Sequence, residues 1–443
     1  MNSMNYSQAE PFFRPGPSGN PGRQPASAAL FLAMFLYAAS LIKFFVRDPL
    51  VAQTGPQGPI ELALVALSSI AILASFRRRH WRLSWTLPAT AFVAFGAIAA
   101  VSSIFSYYPL LSFLKGLSFI LVCGIAIAAP SAFRPAQILK YLYYSIVIIL
   151  ATGILFRITG AGPLLDIDDF SGRARFTMFA WHPGTLADLS ALTLLSGLLL
   201  PKRPPLCFPL FLFAINIASG SRASSALLAA VLLMIGLSRA RLTLRFLFLC
   251  CCLGSVLTLA MMFAVQKYRQ PGEIAFIGQS LYGDKFQEDI ATLDGRREVW
   301  ENAAQLLSHC AILGYGLEGA RDVLINTTSW PAGNTHNSLI DLILAGGFPA
   351  TLLLLLGWAA AARNALRSRG FPRAATLGLY AYIAGFGLVS PNLTYLQGLA
   401  SFLILTADAM ARTDFTLAAK PSWKQFQWIR QDAPANPEVG ASA

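Results

Sequence analysis

The chain has 443 residues, of which 55% are hydrophobic and only 12% charged, against roughly 25% charged in a typical globular domain. A soluble fold of this length cannot hide so much apolar surface, and the apolar residues are gathered into the long runs that a bilayer demands. The formal charge of +13 would point to nucleic acid in a soluble protein, but most basic residues here sit in short loops between apolar runs, so membrane lipids replace nucleic acid as the expected partner.

Residues 1–25, rich in Pro, Gly, Ser and Asn, read as a disordered tail. The first apolar run, 26–46, lacks a small-residue cleavage site and reads as a retained helix rather than a signal peptide. About twelve spans follow from the hydropathy pattern. They lie at 26–46, 59–76, 86–105, 109–129, 138–157, 181–200, 206–220, 222–238, 245–265, 337–361, 374–391 and 393–411. The runs are continuously apolar instead of alternating, which selects helices over a barrel. The expected fold is therefore all-α: a polytopic membrane helical bundle of about twelve transmembrane helices with one large external loop that contains helices.

Alternate short loops are basic and free of acids. They hold Arg77, Arg78, Arg79 and Arg82; Arg134 and Lys140; Lys202 and Arg203; Arg239, Arg241 and Arg245; and Arg363, Arg367, Arg369 and Arg373. The positive-inside rule places these loops, and with them both termini, in the cytoplasm. The resulting division is a cytoplasmic tail at 1–25, transmembrane helices one to nine within 26–265, the large external loop at 266–336, helices ten to twelve within 337–411, and a second cytoplasmic tail at 412–443. A smaller external segment, 158–180, carries Asp166, Asp168, Asp169, Arg173 and Arg175, with His182 at its membrane edge. Within the large loop, Asp294 is suited to cap a helix, Glu298 suits its first turn, and Val299, Ala303, Leu306 and Leu307 form a helical apolar stripe.

Several polar residues stand where a membrane protein tolerates them only for a reason. His336 lies in Asn334-Thr335-His336-Asn337-Ser338, at the external start of the tenth span. A histidine there can act as general base or simply hydrogen-bond the loop. Arg222 sits in the turn Ser219-Gly220-Ser221-Arg222-Ala223, where an external arginine among apolar helices either serves function or snorkels to lipid phosphates. Arg296 and Arg297 open the loop helix, a geometry that binds phosphate or else forms a solvated pair with Glu298 or Glu301. Lys115, within the fourth span, either snorkels or holds a lipid-borne anion. Asp341 lies five positions beyond His336 on a different helical face, so the two are not paired. The pattern has no metal site, since the histidines are scattered and no carboxylate cluster suits Mg²⁺. It has no Walker motif either. Cations and one histidine at the outer face suit an anionic, membrane-borne substrate handled without a metal or other cofactor.

The ordered motifs resemble the O-antigen ligase and polymerase superfamily of bacterial envelope glycosyltransferases. Gly295-Arg296-Arg297-Glu298-Val299-Trp300 followed by Gly314-Tyr315-Gly316 is similar to the family's Gly-Arg…Trp helix and Gly-x-Gly turn. Thr335-His336-Asn337-Ser338 with Gly346-Gly347 is similar to its His-Asn…Gly signature, and Ser221-Arg222-Ala223 to its Ser-Arg turn. Trp181-His182-Pro183-Gly184 resembles its His-Pro-Asn segment, with Gly184 in place of Asn. The resemblance implies an inner-membrane enzyme with its active site and large loop facing the periplasm. Its partners would be an undecaprenyl-diphosphate-linked glycan as donor and, in a ligase, a sugar hydroxyl of lipid A–core as acceptor, with inversion at the anomeric carbon. By carry-over His336 is the base, and Arg222 and Arg296 hold the donor diphosphate. Arg175, Lys115, Arg297 and His182 are weaker candidates. Neither Arg222 nor Arg296 has a Gly at the Arg-x10-Gly spacing frequent in polymerases, which favours ligase. A polymerase and, from a different class, a lipid or glycan transporter are the alternatives.

Overall fold

The structure is a computed structural model. It describes residues 27–42, 57–75, 85–159, 165–168, 173–176, 178–179, 183–238, 296–327, 334–368, 371–390, 393 and 398–418. The expected ninth span at 245–265, the tail at 1–25, His182, Asp294 and Gly295 lie outside the described residues.

The described chain is helical apart from one small hairpin. In order the elements are α1 (Ser27–Ala39), α2 (Gln57–Ser75), α3 (Leu87–Ser102) with a 3₁₀ extension at Ser103–Phe105, α4 (Pro109–Ala132), α5 (Pro135–Ile158), β1 (Leu165–Asp168), β2 (Arg173–Phe176), α6 (Pro183–Leu198), α7 (Cys207–Ala218), α8 (Arg222–Ser238), α9 (Arg296–Cys310), α10 (Arg321–Thr327), α11 (Ser338–Arg367), α12 (Phe371–Gly387) and α13 (Leu399–Ala418). Proline opens α4, α5 and α6, where its missing N–H is an orphan donor anyway and its fixed φ already suits the helix. Four described helices are long and apolar enough to cross a membrane: Leu87–Phe105, Pro109–Ala132, Pro135–Ile158 and Ser338–Arg367. Shorter apolar helices occupy Ala28–Ser40, Gly58–Ala74, Cys207–Ala218 and Arg222–Ser238. The turn expected between the seventh and eighth spans is present and is made by Gly220 at φ 70°, a left-handed conformation that glycine adopts without steric cost.

Three details depart from the sequence expectation. The 158–180 segment contains an antiparallel hairpin in which Asp166 lies opposite Arg175. Arg363 and Arg367 lie on the last turns of α11 rather than in a loop, and Arg373 lies on α12. The C-terminal helix α13 runs past 411 to Ala418. Basic residues extend these helices because their stems prolong the apolar face while the charge reaches water.

At the centre, α3 packs between α4 and α11. Small residues make that approach possible. A Cβ added at Gly116 of α4 would lie 2.8 Å from the Cα of Ala100, and one at Gly357 of α11 would lie 2.5 Å from the Cβ of Ala91. The surrounding core is rich in fully buried aromatics, including Phe92, Phe95, Tyr143, Tyr382 and Phe402.

The feature that positions the site is a break in α11. Gly347 has φ 75° and ψ 176°, and Pro349 follows inside the same helix. Proline has no N–H to return to the carbonyl four residues back, so the Ala345 oxygen needs another donor. Gly316 N–H supplies it at 2.9 Å, Tyr315 N–H donates to the Leu344 oxygen at 2.6 Å, and Phe348 N–H turns aside to the Ala311 oxygen at 2.9 Å. The Gly314-Tyr315-Gly316 turn is thus spliced into the broken ladder of α11. Two motifs that are separate in sequence form one structural joint.

Candidate functional site

The joint fixes α9 over the start of α11. Val299, Ala303 and Leu306 of α9 are buried against Tyr315, Ala320, Leu324 and Leu344, as the apolar stripe predicts; Leu307 packs at the cluster's edge. The Tyr315 hydroxyl donates to the Leu306 carbonyl at 3.0 Å, and burial raises its pKa above the ordinary value, so it stays a donor. From the same helix the Trp300 indole N–H donates 2.8 Å to the Thr335 carbonyl. The loop helix is thereby tied to the residue beside His336.

His336 itself has φ 52°, a left-handed conformation uncommon for a residue with a Cβ and sustained only where neighbours over-determine it. They do so here. The His336 backbone N–H donates to Asn334 Oδ1 at 2.9 Å. Thr335 donates to Asp341 Oδ1 from both its backbone N–H, at 3.1 Å, and its hydroxyl, at 2.8 Å. Asn337 caps α11, its Oδ1 accepting from Leu339 N–H and Ile340 N–H, while its Nδ2 donates to the Leu388 carbonyl at 3.3 Å. The Ser338 hydroxyl donates 2.8 Å to the Ser390 carbonyl. Asp341, set apart from His336 on helical periodicity, therefore belongs to the same turn. Its carboxylate reaches back along the helix axis to Thr335, a contact that a helical wheel does not represent.

Arg222 and His336 are linked through α12. Arg222 is the exposed first residue of α8. Two residues on, the Ser224 hydroxyl lies 2.8 Å from the Tyr382 hydroxyl of α12, and Asn216 Nδ2 donates 2.8 Å to Ser224 Oγ. The end of α12 in turn reaches Leu388, the residue that holds Asn337. Six residues separate Tyr382 from Leu388, about 9 Å of helical rise, so Arg222 and the His336 turn share one end of the bundle.

The two arginines of α9 are distinguished by their neighbours. Arg297 Nε donates 2.8 Å to Glu301 Oε1 on an exposed face, and this pairing raises its pKa. Arg296 lies one turn before Trp300, and residues four apart share a helix face, so Arg296 stands on the side that meets the His336 turn. Lys115 is also engaged. Its ammonium lies 2.9 Å from Glu61 and 3.5 Å from Glu318, an ionic group that ties α4 to α2 and to the loop. Snorkelling is replaced by pairing, because Glu61 and Glu318 were not visible as its partners in sequence. Arg175 stands on β2 opposite Asp166. Among the described residues no three His, Cys, Asp or Glu side chains converge to hold a metal ion.

Residues 207–355 match the family model described as O-antigen ligase. That stretch is similar to the O-antigen ligase superfamily. It contains Arg222, Arg296, Arg297 and His336 together with both halves of the glycine joint, whereas Lys115, Arg175 and His182 fall outside it. No curated protein matches the chain. This likeness, over about a third of the chain, points to the ligase or polymerase type of glycosyl transfer in a membrane context. Sequence reasoning missed Asp341 as a support of the His336 turn and Arg321, which is buried nearby. Asp341 had a signal, an acid in the first turn of a helix, but Arg321 had none.

Proposed function

We propose that the chain is an O-antigen ligase, a metal-independent inverting glycosyltransferase. It moves a glycan from undecaprenyl diphosphate to a sugar hydroxyl of lipid A–core. The observation that carries this reading is the fixed, left-handed His336 turn with the Arg296–Trp300 helix docked on it. His336 takes the proton from the acceptor hydroxyl as its oxygen bonds to the anomeric carbon. The bond from that carbon to the diphosphate oxygen breaks on the opposite face, which inverts the configuration. Arg222 and Arg296 hold the departing diphosphate and stabilise its growing charge. The strained backbone at His336 supports a preorganised base, since strain of this kind persists where surrounding bonds enforce it.

The arrangement in the membrane belongs to the same proposal. About twelve spans divide as in the sequence reading, with basic loops in the cytoplasm and the 266–336 loop in the periplasm of an inner membrane. Ligase is preferred to polymerase because a single large loop precedes His336 and neither Arg222 nor Arg296 has a Gly at the Arg-x10-Gly spacing. The test is transfer by purified full-length protein from lipid-linked glycan to lipid A–core, without ATP or metal. Product is expected from the wild type and at least about 100-fold less from His336→Ala, with the variant still folded and inserted. An active His336→Ala protein would remove the base assignment. Glycan ladders formed without lipid A–core would make the protein a polymerase.

A further inference from the structure

Beside the His336 turn lies a pocket that the reaction as described leaves unused. It is formed by the turn 316–320, α10 and the first turns of α11, and it is partly open to solvent. Four polar residues line it: Arg321, Asp341, Glu318 and Asn334. Arg321 is 9% exposed, and its Nε and Nη1 have no hydrogen-bond partner among the described residues. Asp341 uses Oδ1 for Thr335, while its Oδ2 is buried without a hydrogen-bond partner among the described residues. A buried donor and a buried acceptor thus sit unanswered on one small cavity. Each such group is costly to leave unmade.

The chemistry of the lining selects the occupant. A phosphate would answer Arg321 but would meet the carboxylates of Asp341 and Glu318. An apolar group would answer neither. A hydroxyl both accepts and donates, so neighbouring hydroxyls on a ring accept from the guanidinium and donate to Asp341 Oδ2 together. We propose that this pocket is a subsite for a neutral, hydroxyl-bearing sugar ring, held by Arg321 and Asp341. The proposal rests on the transferase reading above, because Asn334 both lines the pocket and fixes the His336 backbone, which puts a bound sugar next to the proposed base. The sugar belongs either to the acceptor or to the donor glycan.

The test uses full-length protein in nanodiscs and three probes: phosphate-free core oligosaccharide, phosphate-free O-antigen repeat oligosaccharide, and inorganic pyrophosphate. Binding is followed by saturation-transfer NMR and titration. Arg321→Met and Arg321→Lys are expected to weaken one oligosaccharide by about ten- to a hundredfold while leaving pyrophosphate binding unchanged. The oligosaccharide affected identifies the source of the ring. Arg321→Met is also expected to raise the Tm, since it removes a buried unpaired charge. The proposal is overturned by oligosaccharide binding equal to wild type, by weakening of pyrophosphate instead, or by loss of binding accompanied by a lowered Tm. His336→Ala serves as the separating control. It should bind all three probes normally; if it also transfers glycan like the wild type, the catalytic reading falls and the pocket stands.

Discussion

The two ends of α11 each place a buried aspartate near an arginine, and they treat the arginine differently. Near the C-terminal end, Asn364 Nδ2 donates 2.8 Å to Asp408 Oδ1, and Arg412 Nε pairs with Asp408 Oδ2 at 3.0 Å. Near the N-terminal end, Asp341 is occupied by Thr335, and Arg321 is buried with Nε and Nη1 without a hydrogen-bond partner among the described residues. The two sites are 23 residues apart, from Asp341 to Asn364, about 34 Å of helical rise, roughly the thickness of a bilayer core. A paired ionic group holds helices together and has its charge already matched. An open one costs the empty protein stability and keeps donors in reserve. Composition alone would rank the two ends as equals; the bonds tell them apart.

That contrast can be broken by mutation. The largest effect is expected at Arg296, the cation on the face of α9 that carries Trp300. Arg296→Ala should lower transfer about 10²- to 10³-fold, whereas Arg297→Ala, which only releases Glu301, should leave initial rates unchanged. Equal losses would erase the distinction between the two faces. Next, Asp341→Ala leaves the Thr335 N–H unanswered, while the Thr335 hydroxyl keeps the Asn337 carbonyl at 2.9 Å. It should cost about 1–3 kcal/mol in a denaturation midpoint and reduce kcat together with stability. Its counterpart at the other end, Asp408→Ala, should cost a similar ~1–3 kcal/mol with kcat of the remaining folded protein unchanged. A kcat loss at Asp408 would mean that the ends do not separate structure from function. The smallest effect belongs to Trp300→Phe, which removes one hydrogen bond worth about 0.5–1.5 kcal/mol. It should lower kcat severalfold with donor KM unchanged, and a shift in KM alone would show that α9 grips substrate rather than positioning His336.

Much of the helical layout was legible along the chain. The α7–α8 boundary lies at Arg222 as the turn residues predict, and the α9 stripe buries Val299, Ala303 and Leu306. Hydropathy is a local property, and a helix closes its own hydrogen bonds, so both survive without knowledge of neighbours. The hairpin at 165–176 was missed because strands of four residues are too short for a periodic signal. Lys115 was misjudged for another reason: its partners Glu61 and Glu318 lie 54 and 203 positions away in sequence.

Sequence by itself determined that this protein is a membrane-type helical chain and that its motifs resemble those of the O-antigen ligase superfamily, because apolar run length and motif order are written residue by residue. Tertiary structure alone decided that Gly314-Tyr315-Gly316 repairs the break at Gly347, that Asp341 holds the His336 turn, and that Arg321 Nε and Nη1 are buried without a hydrogen-bond partner among the described residues while Arg412 is paired. Each of these depends on which donor reaches which acceptor across distant segments. Burial makes such choices energetically decisive, and it is settled only when the helices pack.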